Sequence, residues 1–118
     1  IRDRKKGELV AILPDQLPGR HSGGVVVPFF GRPALTQTLV PRLLSATGAR
    51  AVMVSAERVA AGFKVHIDPV GEELYAEDST VAATALNAAV ERVVARDPAQ
   101  YQWEYKRFRR AGGGDPYR

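Results

Sequence analysis

Two short apolar runs and the loop between them place the strongest limit on how this chain can fold. The first run, Leu9 to Leu13, stops at Pro14 and Asp15. The second, Val25 to Phe30, is interrupted by Pro28. Between them lie Pro18, Gly19, Gly23 and Gly24, a composition that reads as a loop. A nearly all-apolar run after a glycine, Glu8 to Leu13, fits a strand covered on both faces. Val25-Val26-Val27 is β-branched and short, and Pro28 confines it to an edge or a strand end. A buried strand that opens into a charged loop is the usual location of chemistry in an α/β protein.

The rest of the chain reads as scaffold for that loop. Pro33 suits a first helical position and Gly48 a left-handed cap, so a helix is expected over 33–47. Leu35, Leu39, Leu43 and Leu44 recur at helical spacing, and Pro41 should kink this helix near Gln37 and Thr38. Ala51 to Val54 reads as a buried strand. Phe63, Val65 and Ile67 alternate with Lys64, His66 and Asp68, the pattern of a half-exposed strand. Ala60-Ala61-Gly62 is the expected turn joining these two as an antiparallel pair. Asp78 or Ser79 caps a helix running to about Arg96. Its apolar face is Ala82, Leu86, Ala89, Val90, Val93 and Val94, with Thr84, Asn87 and Glu91 turned away. Asp97-Pro98 then restarts a helix carrying Tyr101, Tyr105 and Phe108 on one stripe. The order β, loop, β, α, β, β, α, α predicts an α/β fold with a mixed sheet of about four strands flanked by helices. Residues 1–110 form one unit and 111–118 a flexible tail.

Composition removes several classes of function. The 118 residues suffice for one core. The absence of cysteine excludes a disulfide framework, a thiolate zinc site and a cysteine nucleophile. No apolar run approaches the roughly 20 residues of a membrane helix. The net charge of +4 is concentrated in basic residues near the two ends, which suits an anionic partner such as lipid head groups, an acidic protein or nucleic acid. The chain opens on Ile1, and residues 1–7 read as the tail of a helix ending at Gly7. The sequence is therefore expected to be a piece of a longer protein.

Among candidate site residues, Asp15 follows an apolar run and a proline. It serves either as a functional carboxylate or as the acceptor of an Asx turn. Arg20, amid glycines, suits a phosphate, although the loop has no Walker or dinucleotide pattern. His21 lacks a local carboxylate, and His66, two residues before Asp68, is read as a surface side chain. Thr36 and Thr38 offer hydroxyls at the expected helix start or satisfy carbonyls there. Trp103, set among Tyr101, Tyr105, Lys106 and Arg107, suits base stacking, a membrane interface or simple docking on the core. Docking is the leading reading, and buried Tyr101, Trp103 and Phe108 would support it. No metal or cofactor is expected.

These residues also carry a resemblance. Leu13-Pro14-Asp15-Gln16, then Gly24 through Pro33-Ala34-x-Thr36-x-Thr38, then Asp97-Pro98-x-Gln100-Tyr101-x-Trp103 with Lys106-Arg107-Phe108, resemble the carboxyl-terminal portion of the lipid A biosynthesis lauroyl/myristoyl acyltransferases of Gram-negative bacteria. That family belongs to the glycerolipid acyltransferase group. The resemblance implies transfer of a fatty acyl chain from acyl carrier protein to a hydroxyl of a lipid A precursor, at the cytoplasmic face of the inner membrane. It implies an anionic membrane surface as a partner and no nucleic acid. The group uses a His-x4-Asp pair as catalytic base, and neither histidine here supplies one: the residue five after His21 is Val26, and five after His66 is Gly71. No catalytic residue is expected in this chain, which alone should be inactive. What carries over is a substrate-binding wall of Asp15 and Gln16, with Arg20, Phe30 and Thr36 as further candidates. Met53 stands where the group often has the proline of a Val-Pro motif. The alternative reading is a noncatalytic basic module that binds anionic lipid or nucleic acid.

Overall fold

The computed structural model describes residues 7, 9–112 and 116–117. Six regular elements organise them: β1 (Gly24–Phe29), β2 (Arg32–Gln37), α1 (Leu39–Thr47), β3 (Val52–Val59), β4 (Gly62–Pro69) and α2 (Ser79–Val94), with short 3₁₀ turns at Glu72–Tyr75 and Pro98–Gln100. The α/β class holds. The strands pair as two separate antiparallel hairpins, β1–β2 and β3–β4, rather than as one mixed sheet.

The first correction concerns β2. The segment expected to begin a helix at Pro33 instead returns along β1, with Val27 opposite Ala34 and Val25 opposite Thr36. The reversal occurs at Phe30-Gly31, both with positive φ (47° and 71°), the backbone of a tight hairpin turn. Asn or Gly normally takes the position of Phe30, so an aromatic side chain is held here in a conformation that costs free energy. Pro28 faces Pro33 across the ladder. The Pro28 carbonyl points away from β2, to the Asn87 amide at 2.8 Å, so this is a pair from which the ladder draws no N–H. Pairing with β1 overrides the helical spacing of the leucines.

Helix α1 therefore starts six residues later than expected, and the expected kink disappears. Pro41 is now its third residue, inside the first turn, where a backbone N–H has no intrahelical acceptor. Gly48 closes the helix as foreseen, at φ 60°, with its N–H on the Leu44 carbonyl. Asp78 caps α2 by accepting from the N–H groups of Thr80 and Val81. The expected helix after Asp97 is one 3₁₀ turn followed by irregular turns. Residues 9–13 form no strand, and the expected helix tail over 1–7 lies, apart from Gly7, outside the described residues. So does part of the expected 111–118 tail.

Two apolar clusters hold the elements together. Phe29, Ala34, Val90 and Val94 pack with Met53, Tyr101 and Phe108. Leu44, Leu74 and Leu86 pack with Val40, Ala51 and Val70. Helix α2 contributes to both, and its buried Ala82, Ala83 and Ala89 let neighbouring backbone approach closely. Hairpin β3–β4 turns at Ala60-Ala61 as expected, but Met53 and Asp68 lie on its inner face, while Val52, Val54, Phe63, Val65 and Ile67 are exposed. No helix among the described residues is long and apolar enough to cross a membrane.

Candidate functional site

The loop that carries Asp15 is irregular backbone, so its position depends on what clamps it. The clamp comes from the carboxyl-terminal segment. The Tyr101 hydroxyl donates to Asp15 Oδ2 at 3.1 Å. The Leu17 N–H donates to the Tyr105 hydroxyl at 2.8 Å. Arg110 Nη1 donates to the Pro18 carbonyl at 2.7 Å. Pro18 is buried against Gly24, where an added Cβ would lie 2.9 Å from the proline ring and 2.8 Å from the Thr36 carbonyl. Only glycine permits that approach. The two halves of the sequence pattern, about 86 residues apart, are thus in direct contact.

Beneath the loop lies a polar network inside the core. Arg107 is 2% exposed. Its Nη1 donates to the Leu35 carbonyl at 2.6 Å, and its Nη2 donates to Thr36 Oγ1 at 2.9 Å and Asn87 Oδ1 at 3.3 Å. Thr36 Oγ1 donates in turn to the Ala34 carbonyl and accepts from Asn87 Nδ2 at 2.9 Å. The guanidinium also lies 5.2 Å from the centroid of the Phe29 ring. Burial pushes the Arg107 pKa down, while Tyr101 and Asp15 oppose that shift. A guanidinium stays charged even so. Its Nε has no partner among the described residues. A buried cation without a bonded carboxylate is costly. Here neutral acceptors, an aromatic face and the nearby Asp15 share the compensation.

Tyr101 is the hinge between this network and the loop. Burial raises its pKa well above the ordinary tyrosine value, and the Asp15 charge and hydrogen bond add to the rise. The phenol is therefore a fixed donor to Asp15. The Tyr101 ring also packs edge-on against Trp103 at 4.8 Å, and Trp103 lies 5.7 Å from Phe30. An aromatic row thus connects Asp15 to the β1–β2 turn.

The structure separates the predicted site residues. Asp15 is half-buried, and its carboxylate accepts from a side-chain hydroxyl rather than closing an Asx turn. Gln16 lines an open groove of about 310 Å³ with Leu13, Leu17, Pro18, Gln37 and Leu39. Arg20 and His21 are exposed in the turn closed by the Ser22 N–H on the Gly19 carbonyl. Phe30 is 40% exposed at the hairpin tip, its N–H held by Glu91 at 2.7 Å. Thr36 is fully buried, on a strand rather than at a helix start, with its hydroxyl committed to the Arg107 network. Asp68 forms a bidentate pair with Arg96 at 2.6 Å, and His66 instead meets Glu57 at 2.9 Å. His66 is half-buried rather than a surface side chain.

Asn87 and Arg107 are absent from the candidate site residues: the sequence reading turns Asn87 away from the core and takes Arg107 only as a cation beside Trp103. A signal for Asn87 was present: 83, 87, 90 and 94 follow one helical face, and all four are buried. Arg107 had no such signal. Of the aromatics, Tyr101 and Phe108 dock on the core, whereas Trp103 stays half exposed with its indole N–H on the Pro98 carbonyl. Gln100 works as a side-chain strand. It accepts from the Arg58 N–H at 2.8 Å and donates to the Arg58 carbonyl at 3.0 Å, closing part of the β3 edge.

Comparison with known proteins gives these contacts a context. Residues 1–110 match the family model described as bacterial lipid A biosynthesis acyltransferase. The chain is 36% identical over 108 residues to a lipid A biosynthesis palmitoleoyltransferase of Escherichia coli (strain K12), covering 89% of this chain and 35% of that protein. A lipid A biosynthesis acyltransferase of Shigella flexneri matches to the same extent. The chain thus spans about a third of the length of these curated relatives. With the match running from Ile1 through the Arg107 network to Arg110, the chain belongs to the bacterial lipid A biosynthesis acyltransferase family.

Proposed function

We propose that this chain forms the carboxyl-terminal part of an enzyme that transfers a fatty acyl chain from acyl carrier protein to a hydroxyl of a lipid A precursor, at the cytoplasmic face of the bacterial inner membrane. The observation that carries this reading is the Tyr101–Asp15 hydrogen bond, which fixes the loop carboxylate against the 97–108 segment that shares in the resemblance. In this reading Asp15 and Gln16 form a wall of the substrate site, and Arg20 on the adjoining turn meets substrate phosphate. Phe30 presents an aromatic edge to lipid, supported by Trp103. Thr36 acts from behind, holding Arg107 under the loop. Proton abstraction from the acceptor hydroxyl falls to polypeptide outside this chain, because neither His21 nor His66 has an Asp five residues on.

The test is acyl transfer from acyl carrier protein to a lipid A precursor, with the protein from the complete reading frame and with residues 1–118 alone. The complete protein should turn over, and the isolated chain should not. Asp15→Asn in the complete protein should lower kcat/KM roughly 10–100-fold by loosening the site wall. Turnover by the isolated chain, or an unchanged rate with Asp15→Asn, overturns the assignment.

A further inference from the structure

Hairpin β3–β4 turns its own sequence pattern inside out. Val52 and Val54 on β3 and Phe63, Val65 and Ile67 on β4 are 58–70% exposed. The register sets Val54 beside Ile67 and Ala56 beside Val65, so these side chains form one continuous apolar face. The opposite face carries Met53, Glu57, His66 and Asp68. Met53 packs into the cluster shared with α2, and Asp68 pairs with Arg96 just beyond that helix. A sheet with one face on a helix and an apolar opposite face is a middle layer whose second cover is missing. A patch of this kind marks an interaction surface.

Chemistry and length together choose the cover. The outer face carries one cation, Arg58, at its turn end, and neither Trp nor Tyr. That composition lacks the Trp and Tyr belt of a lipid-facing surface. The curated relatives, in contrast, extend well beyond the 35% of their length matched here. We infer that the outer face of β3–β4 seats the polypeptide that lipid A acyltransferases carry outside this matched third. The hairpin then lies between that polypeptide and α2. This rests on the family membership alone, not on the reaction proposed above.

The test compares cysteine labelling in the complete protein and in the isolated 118-residue chain, which contains no native cysteine. Val65→Cys should react with maleimide at least about 30-fold faster in the isolated chain, the factor expected when a cover must open by roughly 2 kcal/mol. Glu72→Cys, on an exposed turn, should react at similar rates in both, with peptides resolved by mass spectrometry. Ile67→Lys should leave the fold of the isolated chain intact by circular dichroism, yet lower the yield of folded complete protein several-fold. Equal labelling at position 65 overturns the inference, as does a reading frame that adds no polypeptide. Protection in the isolated chain that is lost on dilution or with Phe63→Lys overturns it in favour of a second copy. Protection of the complete protein that appears only with phosphatidylglycerol vesicles overturns it in favour of lipid. A complete protein that transfers acyl chains but labels freely at 65 sinks this inference and leaves the proposed function standing.

Discussion

The two hairpins are of similar size and composition, yet they sit in the molecule in opposite senses. In β1–β2 the large apolar side chains Val27 and Phe29 point inward, and Phe29 is 1% exposed. In β3–β4 the corresponding large residues point out, and Phe63 is 70% exposed. Both have two-residue turns, Phe30-Gly31 and Ala60-Ala61, and both alternate along the strand. The difference lies in what covers each pleated face. Alternation dictates that a strand has an apolar side, but the side turned toward α2 follows from which neighbours fill the remaining space. The first hairpin is wedged between α2 and the carboxyl-terminal clamp. The second meets α2 through the face that carries Met53 and Asp68 and is tied there by Asp68–Arg96 and by Gln100 on the Arg58 backbone, while His66–Glu57 joins its own two strands.

The largest test of this contrast is a matched pair of substitutions. Phe29→Ala should cost about 3–5 kcal/mol in urea unfolding, because it empties a site packed by Phe108, Tyr101 and the Arg107 guanidinium. Phe63→Ala in the same isolated chain should stay within about 0.5 kcal/mol. Similar costs at the two sites would break the comparison. Next in size is Arg107→Ala, which leaves the Leu35 carbonyl, Thr36 and Asn87 short of their donor and should cost about 3 kcal/mol. Arg107→Lys should recover little, since an ammonium lacks the planar fork.

Tyr101→Phe should cost about 1 kcal/mol at neutral pH by removing the Asp15 hydrogen bond. It also carries a pH signature. Burial, then Asp15, hold the folded-state pKa of Tyr101 above its unfolded value of about 10. That contribution is fully present below about pH 10 and is lost as pH rises toward the folded value. The stability of the native chain should therefore fall more steeply above pH 10 than that of Tyr101→Phe, as read from urea midpoints.

The smallest effect belongs to the second hairpin. The hydrogen bond from Arg96 lowers the Asp68 pKa, desolvation opposes it, and the charges of Arg96, His66 and Arg92 add to the lowering. Stability from this pair is present above the unfolded carboxylate value of about 3.9 and is lost as pH falls through the lower folded value. Arg96→Gln should move the Asp68 carboxyl resonance titration upward in NMR and remove that acid-side loss. An unchanged titration would show that the pair does not anchor β4.

Much of the local structure was legible in the residues. The turn at Ala60-Ala61, the Asp78 cap, the Gly48 cap and most of the inner face of α2 appear where spacing and side-chain chemistry put them. The strand at 32–37 was not legible, because Pro33 and the leucines fit a helix locally and only pairing with β1 decides otherwise. The candidate site was legible in part: Asp15 and the 97–108 segment were picked out separately, and their contact was not. Sequence fixes periodicity, caps and turn preferences, since these depend on a few neighbouring residues. Tertiary structure alone decided that Arg107 lies buried against Thr36 and Asn87, that Tyr101 holds Asp15, and that β4 shows its apolar side to the outside. Those outcomes depend on residues far apart in the chain competing for the same space, and no local rule encodes that competition.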